Sequence, residues 1–257
     1  MNFCDSHAHL TSPEVLPTIE TLLEQARLAG VDQIINICTD PTTLHSGIEL
    51  AQNVKGIYNA GATTPHDVER EGDHAFPFFE QAARAKQLVA IGETGLDYHY
   101  QHSERKIQQQ FLTRYLHLAA KHTLPVIFHC REAFDDLFNI VDLEYPKDRP
   151  AILHCFTGTM KEAEEVWARG WLLSFSGIVT FKKSGDLRAI AKVAPIDQLL
   201  IETDTPYLAP QSKRGRQNEP AFILETAQCI ALERGVSLDE LARATRKNAR
   251  NIFGLSN

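Results

Sequence analysis

The sequence predicts a (β/α)8 TIM barrel, an α/β fold with its site at the C-terminal ends of the strands. Three observations predict it. Short apolar runs alternate with amphipathic runs along all 257 residues, with no second block of different composition. A doubly wound sheet, the competing α/β fold, would carry a Gly-rich turn after its first strand, and this chain has none there. Histidines and carboxylates recur at the ends of the apolar runs, where a barrel gathers them on one rim.

The first strand is read at NFCDSH (2–7), and the segment 19–30 after it has helical spacing, with Gly30 at its end. QIINI (33–37) and GIYNAG (56–61) are the second and third strands. The fourth, LVAIGE (88–93), precedes a long amphipathic run over 104–122. PVIFH (125–129) is the fifth strand, and AILHC (151–155), set off by Pro150, is the sixth. A helical run at 161–170 ends in Gly170 and leads to the seventh strand, WLLSFS (171–176). The eighth is QLLIET (198–203), and two helical stretches follow, around 219–234 and 237–252.

Bulk composition narrows the function. With 43% hydrophobic and 23% charged residues, the chain is ordinary globular protein with a large core, read as a single domain over 1–257. A net charge of −7 argues against a protein that coats nucleic acid electrostatically. It leaves room for an enzyme that grips a few phosphates through metal ions and a local basic patch. Five cysteines without a CxxC pair read as thiols in a reducing compartment. The first residues show no basic segment followed by an apolar run, and no stretch approaches 18 apolar residues. The expectation is a cytoplasmic monomer with no membrane partner.

The first strand raises the central chemical question. His7 and His9 alternate, so a strand turns both to one face. Glu93 ends the fourth strand, His129 the fifth and His154 the sixth, and Glu202 and Asp204 end the eighth. One histidine after an apolar strand is ordinarily a satisfied polar residue at a core edge. Four of them with carboxylates on one rim would carry a desolvation cost that metal ligation removes. Six ligands exceed one tetrahedral zinc, which divides them between two ions, with Glu93 as the bridge. His7, His9 and Asp204 complete one ion, and His129 and His154 the other. No Ser, Cys or Lys nucleophile has a comparable setting, so a metal-bridging hydroxide is the expected nucleophile.

His45, His102, His117 and His122 are read in helical stretches, and His74 and His99 in loops. His66 follows GATTP past the third strand, within reach of the same rim. Cys130 and Cys155 directly follow His129 and His154, and alternation turns them toward the core.

The segments DSHAHL (5–10), IGETGLDY (91–98), PVIFHCREA (125–133), LHCFTG (153–158), IETDTPYLAP (201–210) and RGRQNEP (214–220) run in order over nearly the full length. The chain in these segments resembles the TatD family of metal-dependent deoxyribonucleases, within the amidohydrolase superfamily. The resemblance implies a barrel with two divalent ions, in some members three, held at His7, His9, Glu93, His129, His154 and Asp204. It implies hydrolysis of phosphodiesters, chiefly 3′-to-5′ trimming of single-stranded DNA and in some members RNA. GATTPH departs from the GxHPH of many relatives, carrying Ala62 and Thr64, which bears on substrate contacts and not on the metals.

Lys213, Arg214 and Arg216 make a positive loop after the eighth strand of an acidic protein. Arg214, Arg216 and Arg131 are assigned to phosphate oxygens, which suit guanidinium forks, and His66 to the substrate. Four histidines favour Zn2+ or Mn2+ by ligand softness, while Mg2+ is the common nuclease ion. The competing functions are hydrolysis of a small amide, ester or lactone, deacylation of an aminoacyl-tRNA, and a metal-holding scaffold without turnover.

Overall fold

The protein is described by a computed structural model, over residues 1–100 and 102–255. Eight strands form one sheet in sequence order. They are β1 (Phe3–Ala8), β2 (Val31–Cys38), β3 (Ile57–Gly61), β4 (Ala90–Asp97), β5 (Val126–Arg131), β6 (Ala151–Leu153), β7 (Leu172–Phe175) and β8 (Leu199–Ile201). Helices alternate with them: α1 (Ile19–Leu28), α2 (Pro41–Asn53), α3 (Val68–Arg84), α4 (Arg105–His122), α5 (Phe134–Glu144), α6 (Met160–Ala168) and α7 (Gly185–Val193). Two more, α8 (Ile223–Arg234) and α9 (Leu238–Phe253), follow β8. This is the (β/α)8 barrel that the alternation predicts.

The chain divides into two compact halves, residues 1–36 with 155–257, and residues 37–154. In the first, β1 pairs with β2 and β7 with β8, all parallel. Ala8 bridges Thr205 in parallel, which ties β1 to the segment after β8. Asn36 on β2 accepts the Leu10 N–H through its side chain at 2.9 Å, fixing the turn that leaves β1. In the second half β3, β4, β5 and β6 pair in parallel succession. Its helices cover the sheet with large side chains: Phe79 of α3 and Tyr115 of α4 are fully buried. The Tyr115 hydroxyl lies 3.0 Å from both the backbone nitrogen and the hydroxyl of Thr63, which anchors the loop leading to His66.

Helix ends follow local chemistry. Asp40 and Thr43 form a capping box at α2, with Pro41 in the first turn. Thr159 and Glu162 form another at α6. The C-caps of α8 and α9 are Gly235 and Gly254, in the left-handed conformation that favours glycine.

Several strand ends differ from the sequence-based expectation. β4 continues past Glu93 to Asp97, because β5 stays paired with it out to Asp97–Arg131. The extension needs Gly95: a Cβ there would overlap the His129 carbonyl oxygen. β6 and β8 stop short of the predicted ends, and Cys155 (φ 43°) and Asp204 (φ 61°), two and three residues beyond them, take left-handed backbone that bars any further extension. His102 sits in the turn before α4 rather than in a helix, and His74 lies within α3 rather than in a loop. α3 runs through Pro77 because its buried face, Val68, Ala75, Phe79 and Ala82, anchors both sides of it.

Gly95→Ala is expected to destabilise the fold by about 1–3 kcal/mol and to displace His129, since Ala meets both a positive φ and a blocked position. Urea denaturation checks the first and metal titration the second. A variant as stable and as metal-competent as wild type would contradict the close approach.

Candidate metal centre

Each half carries a cluster of ligand-type atoms at the C-terminal ends of its strands. In the first, His7 is fully buried on β1 and His9 follows just past the strand. Their rings meet edge to face with centroids 5.1 Å apart. Asp204 lies three residues beyond β8, its N–H donating to the His7 carbonyl at 2.9 Å. Asp204 Oδ1 is 3.6 Å from His7 Nε2 and 3.5 Å from His9 Nε2. Such spacings are long for hydrogen bonds. They match ligands held about 2.1 Å from one ion, whose atoms stand roughly 3.0–3.5 Å apart at octahedral to tetrahedral angles.

Asp5 explains how this cluster is built. Its carboxylate accepts from the Thr203 N–H at 2.9 Å and from the Thr203 hydroxyl, and it also accepts the His7 N–H at 3.2 Å. It therefore pins β1 to the end of β8 instead of facing the ligands. Burial pushes the Asp5 carboxyl up to about 7, against those three stabilising hydrogen bonds. Asn218 completes the brace, donating from its side chain to the carbonyls of Thr203 and Tyr207. Glu202 is fully buried and accepts the Cys155 N–H at 2.7 Å.

The second cluster is tighter. Glu93 Oε1 is 2.9 Å from His129 Nδ1 and 3.1 Å from His154 Nε2, and those two nitrogens are 3.4 Å apart. Three atoms in one triangle of this size make a fitting face for a divalent ion. The electrostatics agree. Burial works against charge on His129, yet Asp97 and Glu93 outweigh it and raise its pKa, so the pocket favours a positive charge.

Asp97 is the residue that the sequence did not reveal. It is buried, and its Oδ2 is 2.8 Å from His129 Nε2. Its Oδ1 accepts the N–H groups of His99 and Tyr100, at 3.0 and 2.8 Å. Burial alone would raise its pKa, but the hydrogen bonds from His129 and Tyr100 and the neighbouring imidazoles hold it low. An ionised Asp97 keeps the His129 proton on Nε2 and leaves the Nδ1 lone pair toward Glu93, the arrangement in which a carboxylate orients a metal-binding histidine. The available signal was alternation: Glu93, Gly95 and Asp97 share one face once β4 is allowed to continue.

Asp97→Asn is expected to weaken metal binding by about 10–100-fold. Its single carbonyl oxygen cannot serve both the backbone N–H groups and His129. If its NH2 faces His129, the ring proton moves to Nδ1, where the ion must bind. Isothermal titration of chelated protein measures this, and unchanged affinity would remove Asp97 from the site.

The remaining predicted residues are distributed as follows. His66 Nε2 is 3.5 Å from Asp97 Oδ2 and its ring packs on His129, so it reaches the second cluster. Arg131 is half-buried, its guanidinium 4.9 Å over the Tyr100 ring. Arg214 and Arg216 are exposed on the loop after β8, Arg214 lying 4.7 Å over the Phe181 ring. Lys213 is 3.9 Å from Glu225, which offsets part of its charge. Cys130 is buried and Cys155 half-buried with its sulfur 3.2 Å from the Ser176 hydroxyl, and no disulfide forms among the described residues. No helix among the described residues is long and apolar enough to cross a membrane.

A parallel barrel with buried imidazole and carboxylate clusters at its strand ends is the framework of a metal-dependent hydrolase. Comparison with known proteins gives the family. The family model for TatD related DNase matches residues 4–254, and the chain belongs to that family. The uncharacterized metal-dependent hydrolase YabD of Bacillus subtilis is 33% identical over 252 residues, covering 98% of this chain and 99% of YabD. The 3′-5′ ssDNA/RNA exonuclease TatD of Erwinia tasmaniensis is 34% identical over 257 residues, covering 98% and 99%. The crystal structure of YJJV, a TatD homologue from Escherichia coli K12, matches with a TM-score of 0.92 at 28% identity over 99% of this chain and 98% of that one.

Proposed function

We propose that this metal-dependent hydrolase is a 3′-to-5′ exonuclease of single-stranded DNA, with RNA as a second substrate, working as a single-domain cytoplasmic monomer. The observation that carries the reading is the Glu93–His129–His154 triangle, a site for a hard-to-intermediate divalent ion, in a chain 34% identical to an enzyme named for that activity. Two divalent ions are assigned, one to His7, His9 and Asp204 and one to Glu93, His129 and His154. His66, Asp97 and His129 also lie within ligand range of one another. We assign that group no third ion, because His129 is already assigned through Nδ1 to the Glu93 group and Asp97 Oδ1 is taken by backbone donors.

Zn2+, Mn2+ or Mg2+ held by these residues would supply positive charge to offset the phosphate and would ease deprotonation of the attacking water. The protein's residues do the rest. Asp204 would offer the ion Oδ1, the oxygen 3.6 and 3.5 Å from the Nε2 atoms of His7 and His9, and takes the proton of the attacking water on Oδ2. Glu93 holds its two histidines in register, and Asp97 fixes the tautomer of one. His66 and Arg131 contact the substrate, and Arg214 and Arg216 fork onto phosphate oxygens of the strand.

The test is hydrolysis of 5′-labelled single-stranded DNA and RNA by chelated protein with each metal added back. Stepwise shortening from the 3′ end, slower on blunt duplex, is the expected result. Turnover of small esters, amides or aminoacyl-tRNA with no oligonucleotide cleavage would overturn it. Arg214→Ala and Arg216→Ala are expected to raise KM with metal content unchanged. Removing one arginine–phosphate pair should flatten the log–log salt dependence by about 0.7 on single strands. An unchanged slope would leave these arginines as a solvated charge run.

A further inference from the structure

A cavity of about 690 Å3, lined within residues 37–154 by His66, Asp67, Glu69, Arg70, Tyr100 and His102, adjoins the second cluster through His66. Its size is that of a small-molecule site, which runs roughly 300–1,000 Å3. The rings of Tyr100 and His102 stack at 18° with centroids 5.5 Å apart. His66 meets both edge-on, at 5.7 and 5.6 Å, and meets the ring of His129 at 5.4 Å. An aromatic wall thus runs from a ligand of the second cluster out to the surface.

Tyr100 is 45% exposed, yet it is held from several sides. Its N–H donates to Asp97, the Arg131 guanidinium lies over its ring, and the His99 ring packs against it at 4.8 Å. Nothing in core packing requires an exposed ring to be fixed this way. The charges select the occupant. Arg70 is neutralised by Asp67 at 2.7 Å and Glu71 at 3.2 Å, and Glu69 adds a further negative charge. Such a lining repels phosphate and suits a flat, neutral group with hydrogen-bonding edges.

We propose that this cavity binds the base of the 3′-terminal nucleotide against the stacked Tyr100–His102 pair, while its phosphate lies at the Glu93–His129–His154 cluster. The proposal rests on the exonuclease reading and extends it to substrate selection. Stacking tolerates every base, so any normal end is trimmed, and an end without a base is held weakly.

The experiment compares two 5′-labelled oligonucleotides, one ending in a normal nucleotide and one in an abasic nucleotide. Metal-loaded wild type should favour the normal end by roughly 5–150-fold in kcat/KM. Tyr100→Ala and His102→Ala should erase most of that preference through KM, and Tyr100→Phe should keep it. Equal trimming of both ends by wild type, or full preference retained by both alanine variants, overturns the proposal. If no oligonucleotide is trimmed, the exonuclease reading fails on its own. The cavity is then read by fluorescence of a 3′-terminal 2-aminopurine joined by a phosphorothioate. Quenching by wild type and not by Tyr100→Ala sustains the base site, and no quenching by wild type overturns it.

Discussion

Asp204→Asn is expected to lower kcat by roughly 10²–10⁴ while the fold and much of the metal remain, the range usual for losing general acid–base help. Asp204 has φ 61°, left-handed backbone that Asn adopts as readily as Asp, so the substitution introduces no new strain. Its N–H still reaches the His7 carbonyl, and its carbonyl still receives the Tyr207 N–H at 2.8 Å. The amide keeps one oxygen for an ion shared with His7 and His9. What it lacks is a second, basic oxygen to take a proton. The competing explanation is that Asp204 merely shapes the turn after β8, and there Asn would serve nearly as well. Metal content, melting temperature and kcat measured on one preparation separate the two. A variant with its metals and near wild-type kcat removes Asp204 from the proton transfer.

His154→Ala is expected to reduce bound divalent ions from about two to about one per chain and to cost more than about 10²-fold in activity. His154 Nε2 is one corner of a three-atom site, and two remaining corners, Glu93 and His129, hold an ion poorly. His7, His9 and Asp204 lose no side chain, so their ion stays. His9→Ala should give the reciprocal result, keeping the ion of the second cluster. Elemental analysis with competition titration distinguishes the two sites, and equal loss of both ions in either variant contradicts the division of ligands. Chelation is likewise expected to lower the melting temperature of wild type, since metal at about 100 times its Kd would contribute about 2.7 kcal/mol.

The candidate ligands were legible because a barrel converts one-dimensional order into one rim. Any residue just past an apolar run in such a fold lands at a strand end, so His7, Glu93, His129, His154 and Asp204 could be grouped from chain order alone. Strand alternation adds His9 beside His7, and the family resemblance implies the same six residues. Asp97 was not legible in that way. It sits inside a segment read as the loop after β4, and only the pairing of β4 with β5 out to Arg131 turns it toward His129. Tyr100 and His102 were harder still. Their partners, His66 and Arg131, are distant in sequence, and no periodicity links them.

The sequence by itself determined the eight-fold alternation, the apolar strands and the residue types of the candidate ligands, since burial pattern and residue type are local properties of the chain. Tertiary structure alone decided where strands end, which carboxylates serve the ligands and which coordinate none. Asp5 is the plainest case. By alternation it shares a strand side with His7 and His9, but its carboxylate is spent on the N–H and hydroxyl of Thr203, nearly two hundred residues away. A buried carboxylate goes to whichever donors the fold brings within reach, because leaving those donors and its own oxygens unpaired costs more than any local preference supplies. That choice is made by the packing of β1 against the end of β8, and it is invisible until the two are together.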